Sequence, residues 1–132
     1  MPNELAFWDI VEGIRETDGR YRREAYGFLM AALGDTVQRL PAERLTDPDR
    51  RHLSGGELLA GLARFARSEF GELAPLVFEE WGVASAGDVG VMVFQLVRNG
   101  QLSARPEDTL EDFRAFDLPR ELAREPGVSP AT

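Results

Sequence analysis

Residues 73–102 (LAPLVFEEWGVASAGDVGVMVFQLVRNGQL) contain the pattern that decides the fold. The first part of this stretch predicts a short helix that ends at a glycine turn, Gly82. Ser85 can cap a second helix over 89–97, and the Asn-Gly pair that follows this run provides a stop. The valines of the run would also suit a buried strand, but the cap and the stop agree about the length of a helix. We therefore predict two helices on either side of a glycine turn.

This order of elements resembles the helix-turn-helix half of winged-helix domains, in which a β-hairpin follows the second helix. Residues 101–117 could form such a small hairpin or a short helix. A DNA-reading helix needs exposed polar side chains near its N-terminus. The second helix instead begins with small or acidic residues, namely Ala86, Gly87, Asp88 and Gly90. We therefore predict that this helix does not read DNA.

Upstream of this stretch, apolar residues recur at helical spacing over 4–16, 22–40 and 54–70. The first two helices are joined by a short turn, which predicts an antiparallel hairpin. The third begins with Ser54 and Glu57, the sequence of a capping box. The predicted fold is mainly α, with a single domain over 1–120 and a flexible tail over 119–132. The domain divides into a helical hairpin (1–40), a polar connection (41–53) and a helix-turn-helix-like part (54–118).

Aromatic residues provide the candidates for contact with a partner protein. The chain has eight Phe, two Trp and two Tyr, which is more than a small core needs. The short helix over 72–81 is predicted to direct four apolar side chains inward: Leu73, Val77, Phe78 and Trp81. The candidate interaction residues are Trp8, Trp81 and Phe94. Trp8 and Phe94 are also candidates for an apolar patch through which two copies associate.

The composition excludes several classes of chemistry. The chain contains no cysteine and no lysine, and its one histidine is His52. Disulfides, thiolate catalysis, Schiff-base chemistry and a P-loop lysine are thereby excluded, and one histidine cannot build a His-rich metal site. A catalytic trio of His52, Ser54 and either Asp47 or Asp49 is conceivable, but Ser54 is better explained as a helix cap. We predict that the protein is not an enzyme and has no metal or cofactor.

The charge balance bears on the kind of partner. Acidic residues outnumber basic residues by 23 to 15, which gives a net charge of −8. Nucleic-acid binding is disfavoured, because its affinity comes largely from cations that release counterions at phosphates. Two arginine clusters are the candidates for a local exception: Arg20, Arg22 and Arg23 form the first, and Arg44, Arg50 and Arg51 with His52 form the second. No apolar run approaches the roughly 20 residues of a membrane-spanning helix. Residues 1–4 show no secretory signal, so we expect a cytoplasmic protein without a membrane partner.

A small-anion site is a further hypothesis. A glycine pair precedes the helix that begins near residue 55, which resembles the anion-binding N-termini of other helices. Basic residues lie just before this glycine pair in the sequence. The candidate anion-binding residues are Arg50, Arg51, His52, Ser54, Gly55 and Gly56. This hypothesis competes with the capping box, which uses the same backbone donors.

Several short motifs carry a family resemblance. The most specific are Arg51-His52-Leu53-Ser54-Gly55 and Trp81-Gly82-Val83. With further motifs over 4–118, they resemble a family of short uncharacterised bacterial proteins, the conserved hypothetical family of planctomycetes and verrucomicrobia. The chain departs from the family at Gly34 and in its C-terminal tail. The resemblance implies the family's fold and a bacterial cytoplasmic setting, and it identifies no catalytic residues in this chain.

Three functions are compatible with these observations. The leading hypothesis is a non-enzymatic protein-interaction or regulatory module that binds a protein partner or a second copy of itself. The first alternative is a winged-helix regulator that binds nucleic acid through the arginine clusters. The second alternative is a small-anion binder at the segment 50–56.

Overall fold

The computed structural model describes residues 4–103 and 111–124. All regular structure within these two ranges is helical, which confirms the mainly α fold. A 3-10 turn, Gly71–Leu73, joins the fourth helix to the fifth. The α-helices are α1 (Glu4–Thr17), α2 (Arg23–Gln38), α3 (Ala42–Leu45), α4 (Gly55–Phe70), α5 (Ala74–Glu80), α6 (Ala86–Arg98), α7 (Glu111–Arg114) and α8 (Leu118–Leu122).

Helix α4 is the central element, because α2, α5, α6, α7 and α8 all pack against it. Its N-terminus has the predicted capping box: the Ser54 hydroxyl accepts a hydrogen bond from the backbone N–H of Glu57, and the Glu57 carboxylate accepts one from the N–H of Ser54. The helix ends at Gly71, whose φ of 57° suits a glycine. The buried apolar side chains lie on one broad face of the helix, within an arc of about 140°: Leu58, Leu59, Leu62, Ala63 and Ala66.

Helices α2 and α4 approach each other closely at one glycine. A Cβ atom built on Gly61 would overlap the hydroxyl oxygen of Thr36 and lie 2.7 Å from its methyl carbon. The Thr36 side chain is buried, and its hydroxyl donates a hydrogen bond to the Ala32 carbonyl at 2.7 Å. The absence of a side chain at residue 61 therefore sets the distance between the two helices.

Two tyrosines connect the N-terminal hairpin to α6. The Tyr26 hydroxyl donates to Oε1 of Gln95 at 2.6 Å in the core. The Tyr21 hydroxyl donates to Asp88 at 2.7 Å. The turn at Gly82 rests against the same hairpin, since a Cβ atom at this residue (φ 84°) would overlap the Arg20 carbonyl oxygen. These contacts hold α1, α2 and the turn before α6 in one unit.

The predicted helix-glycine-helix order around Gly82 is confirmed by α5 and α6, and the Ser85 capping box is present. No strand occurs in residues 4–103 or 111–124. Of the segment 101–117, residues 111–114 form helix α7 in place of a strand, and 104–110 lie outside the described residues. The winged-helix likeness therefore stays a prediction.

The C-terminal region differs from the predicted tail over 119–132. Residues 118–122 form α8, in which Leu118 and Leu122 are buried. Arg67 of α4 donates a hydrogen bond to the carbonyl of Glu121 at 2.7 Å. Helix α8 is therefore anchored on α4, and 125–132 lie outside the described residues.

Candidate functional site

A cavity of about 500 Å³ opens to solvent beside the start of α4. Its walls come from α2, the connection before α4, α4 itself, α6, the turn after α6, and α7. The apolar side chains on these walls are Leu33, Val37, Leu53, Leu58, Val93, Phe94, Leu102 and Phe113. The size and the mixture of an apolar floor with a few polar groups are typical of ligand-binding cavities.

The polar edge of this cavity contains most of the residues predicted for anion binding. Arg51, His52, Ser54 and Gly55 line it, whereas Arg50 and Gly56 do not. Arg51 is exposed, and it forms no ion pair with the described residues. Asp49 also lines the edge, and both Asp49 and His52 already have interaction partners. Arg51 is therefore the cation at this edge that a ligand can approach.

The N-terminus of α4 already holds an anionic group of the protein. The Glu57 carboxylate accepts a hydrogen bond from Nη1 of Arg44 at 2.5 Å and another from the backbone N–H of Ser54 at 3.0 Å. The hydrogen bond from Arg44, followed by the one from Ser54, lowers the pKa of Glu57 to about 2. Glu57 is thus charged at neutral pH, and its carboxylate is held by Arg44 and by the backbone N–H of the N-cap residue.

A second feature is an exposed pair of leucines, Leu73 and Leu76, which we call the leucine face. Each side chain is 60% exposed. Glu69, Glu72 and Glu79 are exposed near them in the chain, and no described cation forms an ion pair with any of the three. The leucine face is therefore an apolar surface in acidic surroundings.

The prediction that Leu73 points inward was wrong. Ala74 and Phe78, four residues apart, define the buried side of α5. Leu76 precedes Phe78 by two residues, which places it about 200° away around a helix. Leu73 lies in the 3-10 turn and also falls outside the buried side. This spacing is visible in the sequence and could have identified Leu76, which the sequence analysis did not single out.

The three aromatic candidates lie in different surroundings. Trp81 is half-buried in an aromatic cluster with Phe28, Phe70 and Phe78, with ring centroids 5.4–5.8 Å from its own. Phe94 forms part of the cavity wall and contacts the ring of Phe113. Trp8 is 36% exposed and lies over Gly27, where a Cβ atom would meet its ring at 2.8 Å. Of the three, Phe94 is the residue that the cavity includes.

The two arginine clusters are separated by α2. The first cluster lies just before α2 and at its first residue, and the second cluster follows the end of α2 in the sequence. Because α2 has 16 residues, it is about 24 Å long. Several of the arginines are paired with carboxylates: Arg20 with Asp18, Arg22 with Glu80, Arg23 with Glu24, and Arg44 with Glu57. Helix α6, which we predict does not read DNA, has more than half of its residues buried. The positive charge is thus dispersed and largely compensated.

Of the residues considered for catalysis, Ser54 has a structural role. The Ser54 hydroxyl is used by the capping box. Within residues 4–103 and 111–124, no cluster of three or more histidine or carboxylate side chains is arranged to hold a metal ion. None of the described helices has both the length and the apolar character needed to cross a membrane.

Comparison with known proteins adds no assignment. No protein-family model matches the chain, and neither a curated protein nor a solved structure is significantly similar to it. The resemblance to the planctomycete and verrucomicrobial family therefore stays a prediction.

Proposed function

We propose that this protein is a non-enzymatic protein-interaction module whose docking surface is the leucine face. The observation that carries the proposal is the exposure of two leucines three residues apart in the chain, Leu73 and Leu76, at 60% each. A fully buried leucine gains roughly 1.5–3 kcal/mol over an exposed one. Covering 60% of two leucines therefore contributes about 2–4 kcal/mol to an interface.

The surrounding charges define the kind of partner. Glu69, Glu72 and Glu79 bring negative charge to the edge of the leucine face, with no compensating ion pair among the described residues. Complementary charge accelerates association and excludes partners of the same sign. The partner is therefore a protein surface that offers an apolar groove with lysines or arginines at its edge.

A protein partner is better supported than nucleic acid. The arginine clusters lie at opposite ends of α2 and are mostly paired with carboxylates. The carboxylates paired with these arginines weaken the attraction for a polyanion, whose affinity depends on cations that neutralise its phosphates. The helix-turn-helix-like arrangement of α5 and α6 then serves as a scaffold for protein contact. The family resemblance supports a bacterial cytoplasmic setting for this module.

Site-specific photocrosslinking in the native host tests this proposal. The photoreactive amino acid benzoylphenylalanine is introduced at Leu76, and a matched variant carries it at Ala60, an exposed residue of α4. We expect a discrete protein adduct from residue 76 and none from residue 60. The same adduct from both variants, or an adduct from residue 60 alone, would contradict the assignment of the docking surface.

A second test concerns charge. The substitutions Glu72→Gln and Glu79→Gln remove two charges beside the leucine face without adding bulk. We expect slower association with the crosslinked partner and a weaker dependence of the association rate on salt. An unchanged salt dependence would show that the acidic residues take no part in recognition.

A further inference from the structure

We propose that the cavity beside α4 binds a small amphiphilic monocarboxylate, a molecule with an alkyl or aromatic body and one carboxylate. Neither leucine of the leucine face lines this cavity, so the test of the cavity is independent of the test of the proposed function. The size of the cavity, its apolar floor and the position of Arg51 at its edge support this assignment.

The floor of the cavity is suited to an apolar body. Leu58 and Val93 are buried with their side chains against the cavity, and Phe94 and Phe113 close one side with rings whose centroids lie 6.2 Å apart. A volume of about 500 Å³ lies in the range of cavities that enclose small organic ligands. Inorganic phosphate would leave this apolar surface uncovered.

The edge of the cavity is suited to a carboxylate. Arg51 lines it and has no ion pair with the described residues, and a guanidinium can hold a carboxylate through two parallel hydrogen bonds. Arg44, a guanidinium close to this edge, is already paired with Glu57. The ligand anion is therefore held at Arg51, at the mouth of the cavity, and its apolar body lies against the floor.

Binding of octanoate, compared with octan-1-ol and inorganic phosphate, tests this proposal. Octanoate is added below its micelle concentration, and the methyl resonances of leucine and valine are followed by NMR. We expect shifts at Leu33, Val37 and Val93 and none at Leu73 or Leu76. We expect octan-1-ol to bind about tenfold more weakly, since the charged hydrogen bonds are lost, and phosphate to leave the spectrum unchanged.

Two neighbouring arginines provide a matched control. Arg51→Gln should weaken octanoate binding about tenfold in calorimetry, whereas Arg50→Gln, at an exposed residue that does not line the cavity, should change it by less than about twofold. Both changes are at the surface, so both variants are expected to fold. Equal effects of the two substitutions would overturn the role of Arg51.

Filling the cavity gives a further test of the floor. Val37→Phe should abolish the octanoate shifts, and Val97→Phe, at a half-buried residue outside the cavity, should retain them. If Val37→Phe does not fold, the comparison of Arg51 with Arg50 still decides the question. Three results would each overturn the proposal: no octanoate shift at the cavity methyls, equal binding of octan-1-ol, or shifts of the same size at the leucine face.

Discussion

The substitution Gly61→Ala tests the packing of α2 on α4, which positions both the cavity and the central helix. A methyl group at residue 61 would overlap the Thr36 hydroxyl oxygen and lie 2.7 Å and 2.9 Å from two Thr36 carbons. Thr36 is buried, and its hydrogen bond to the Ala32 carbonyl fixes its orientation. The two helices must therefore separate, or Thr36 must leave its position.

The expected change in the free energy of unfolding combines a gain in helix propensity with a cost of overpacking. Replacing glycine by alanine inside a helix stabilises it by about 1 kcal/mol. Overpacking of a buried contact costs about 1–3 kcal/mol, and the rigid position of Thr36 favours the upper end. We expect a net loss of about 2 kcal/mol for Gly61→Ala. Gly34→Ala, in α2 with no neighbouring atom within 4 Å, should gain about 1 kcal/mol.

Thermal and urea unfolding of the two variants measure this difference. For a domain of this size, 1 kcal/mol corresponds to a change in Tm of roughly 4 °C. Gly61→Ala should therefore lower Tm by about 8 °C, and Gly34→Ala should raise it by about 4 °C. Adding Thr36→Ala to Gly61→Ala should restore most of the loss, with a coupling energy above about 1 kcal/mol. A Gly61→Ala variant as stable as Gly34→Ala would refute the close contact.

Three further predictions concern stability. Gly82→Ala should lower the free energy of unfolding by about 2 kcal/mol or more, because residue 82 has a positive φ and an added Cβ would overlap the Arg20 carbonyl. Gly100 also has a positive φ but lies in open space, so Gly100→Ala should cost about 1 kcal/mol. Urea unfolding of the two variants measures this difference. The pKa of Glu57 is lowered from 4.5 to about 2, so its contribution is full above pH 4.5 and is lost as the pH falls towards 2. Glu57→Gln should therefore flatten this part of the acid unfolding profile, and an unchanged profile would contradict the pairing. Burial raises the pKa of Tyr26 from 10.0 to about 12, so stability is lost as the pH rises through this window. Tyr26→Phe should remove that alkaline loss and cost about 1–3 kcal/mol at neutral pH by leaving the Gln95 oxygen unpaired.

The helices could be predicted from the sequence because their signals are local. The capping boxes at Ser54 and Ser85 each depend on residues three positions apart, and both are present. Gly71 ends α4 with a positive φ, as its position after an apolar stripe predicts. A local pattern of this kind determines where a helix begins and ends, irrespective of the rest of the fold.

Features that depend on tertiary contacts were not predictable in the same way. The 3-10 turn at Gly71–Leu73 moves Leu73 off the buried side of α5, and a uniform helical period does not include such a turn. Helix α8 had a local signal that was missed, since Asp117 caps it and Pro119 lies in its first turn. Its burial, however, depends on α4, more than forty residues earlier in the sequence.

The candidate site also has one part that local sequence predicts and another part that depends on tertiary contacts. The residues at the edge of the cavity, Arg51, His52 and Ser54, are close in sequence and were predicted as a group. The floor comes from α2, α4, α6 and α7, and only the packing of these helices brings its side chains together. The sequence therefore indicated the polar edge of the site, and its apolar part and its volume required the structure.

The central claim is that the leucine face carries the affinity for a protein partner. The most direct measurement is the Kd of the partner crosslinked at residue 76, determined by calorimetry for the unmodified chain, for Leu73→Ser/Leu76→Ser and for a control, Ala31→Ser/Ala60→Ser, at two exposed helical residues. The loss of about 2–4 kcal/mol predicts a Kd at least about 30-fold higher for the leucine variant and within about twofold for the control. A folded leucine variant that binds as tightly as the unmodified chain would contradict the claim.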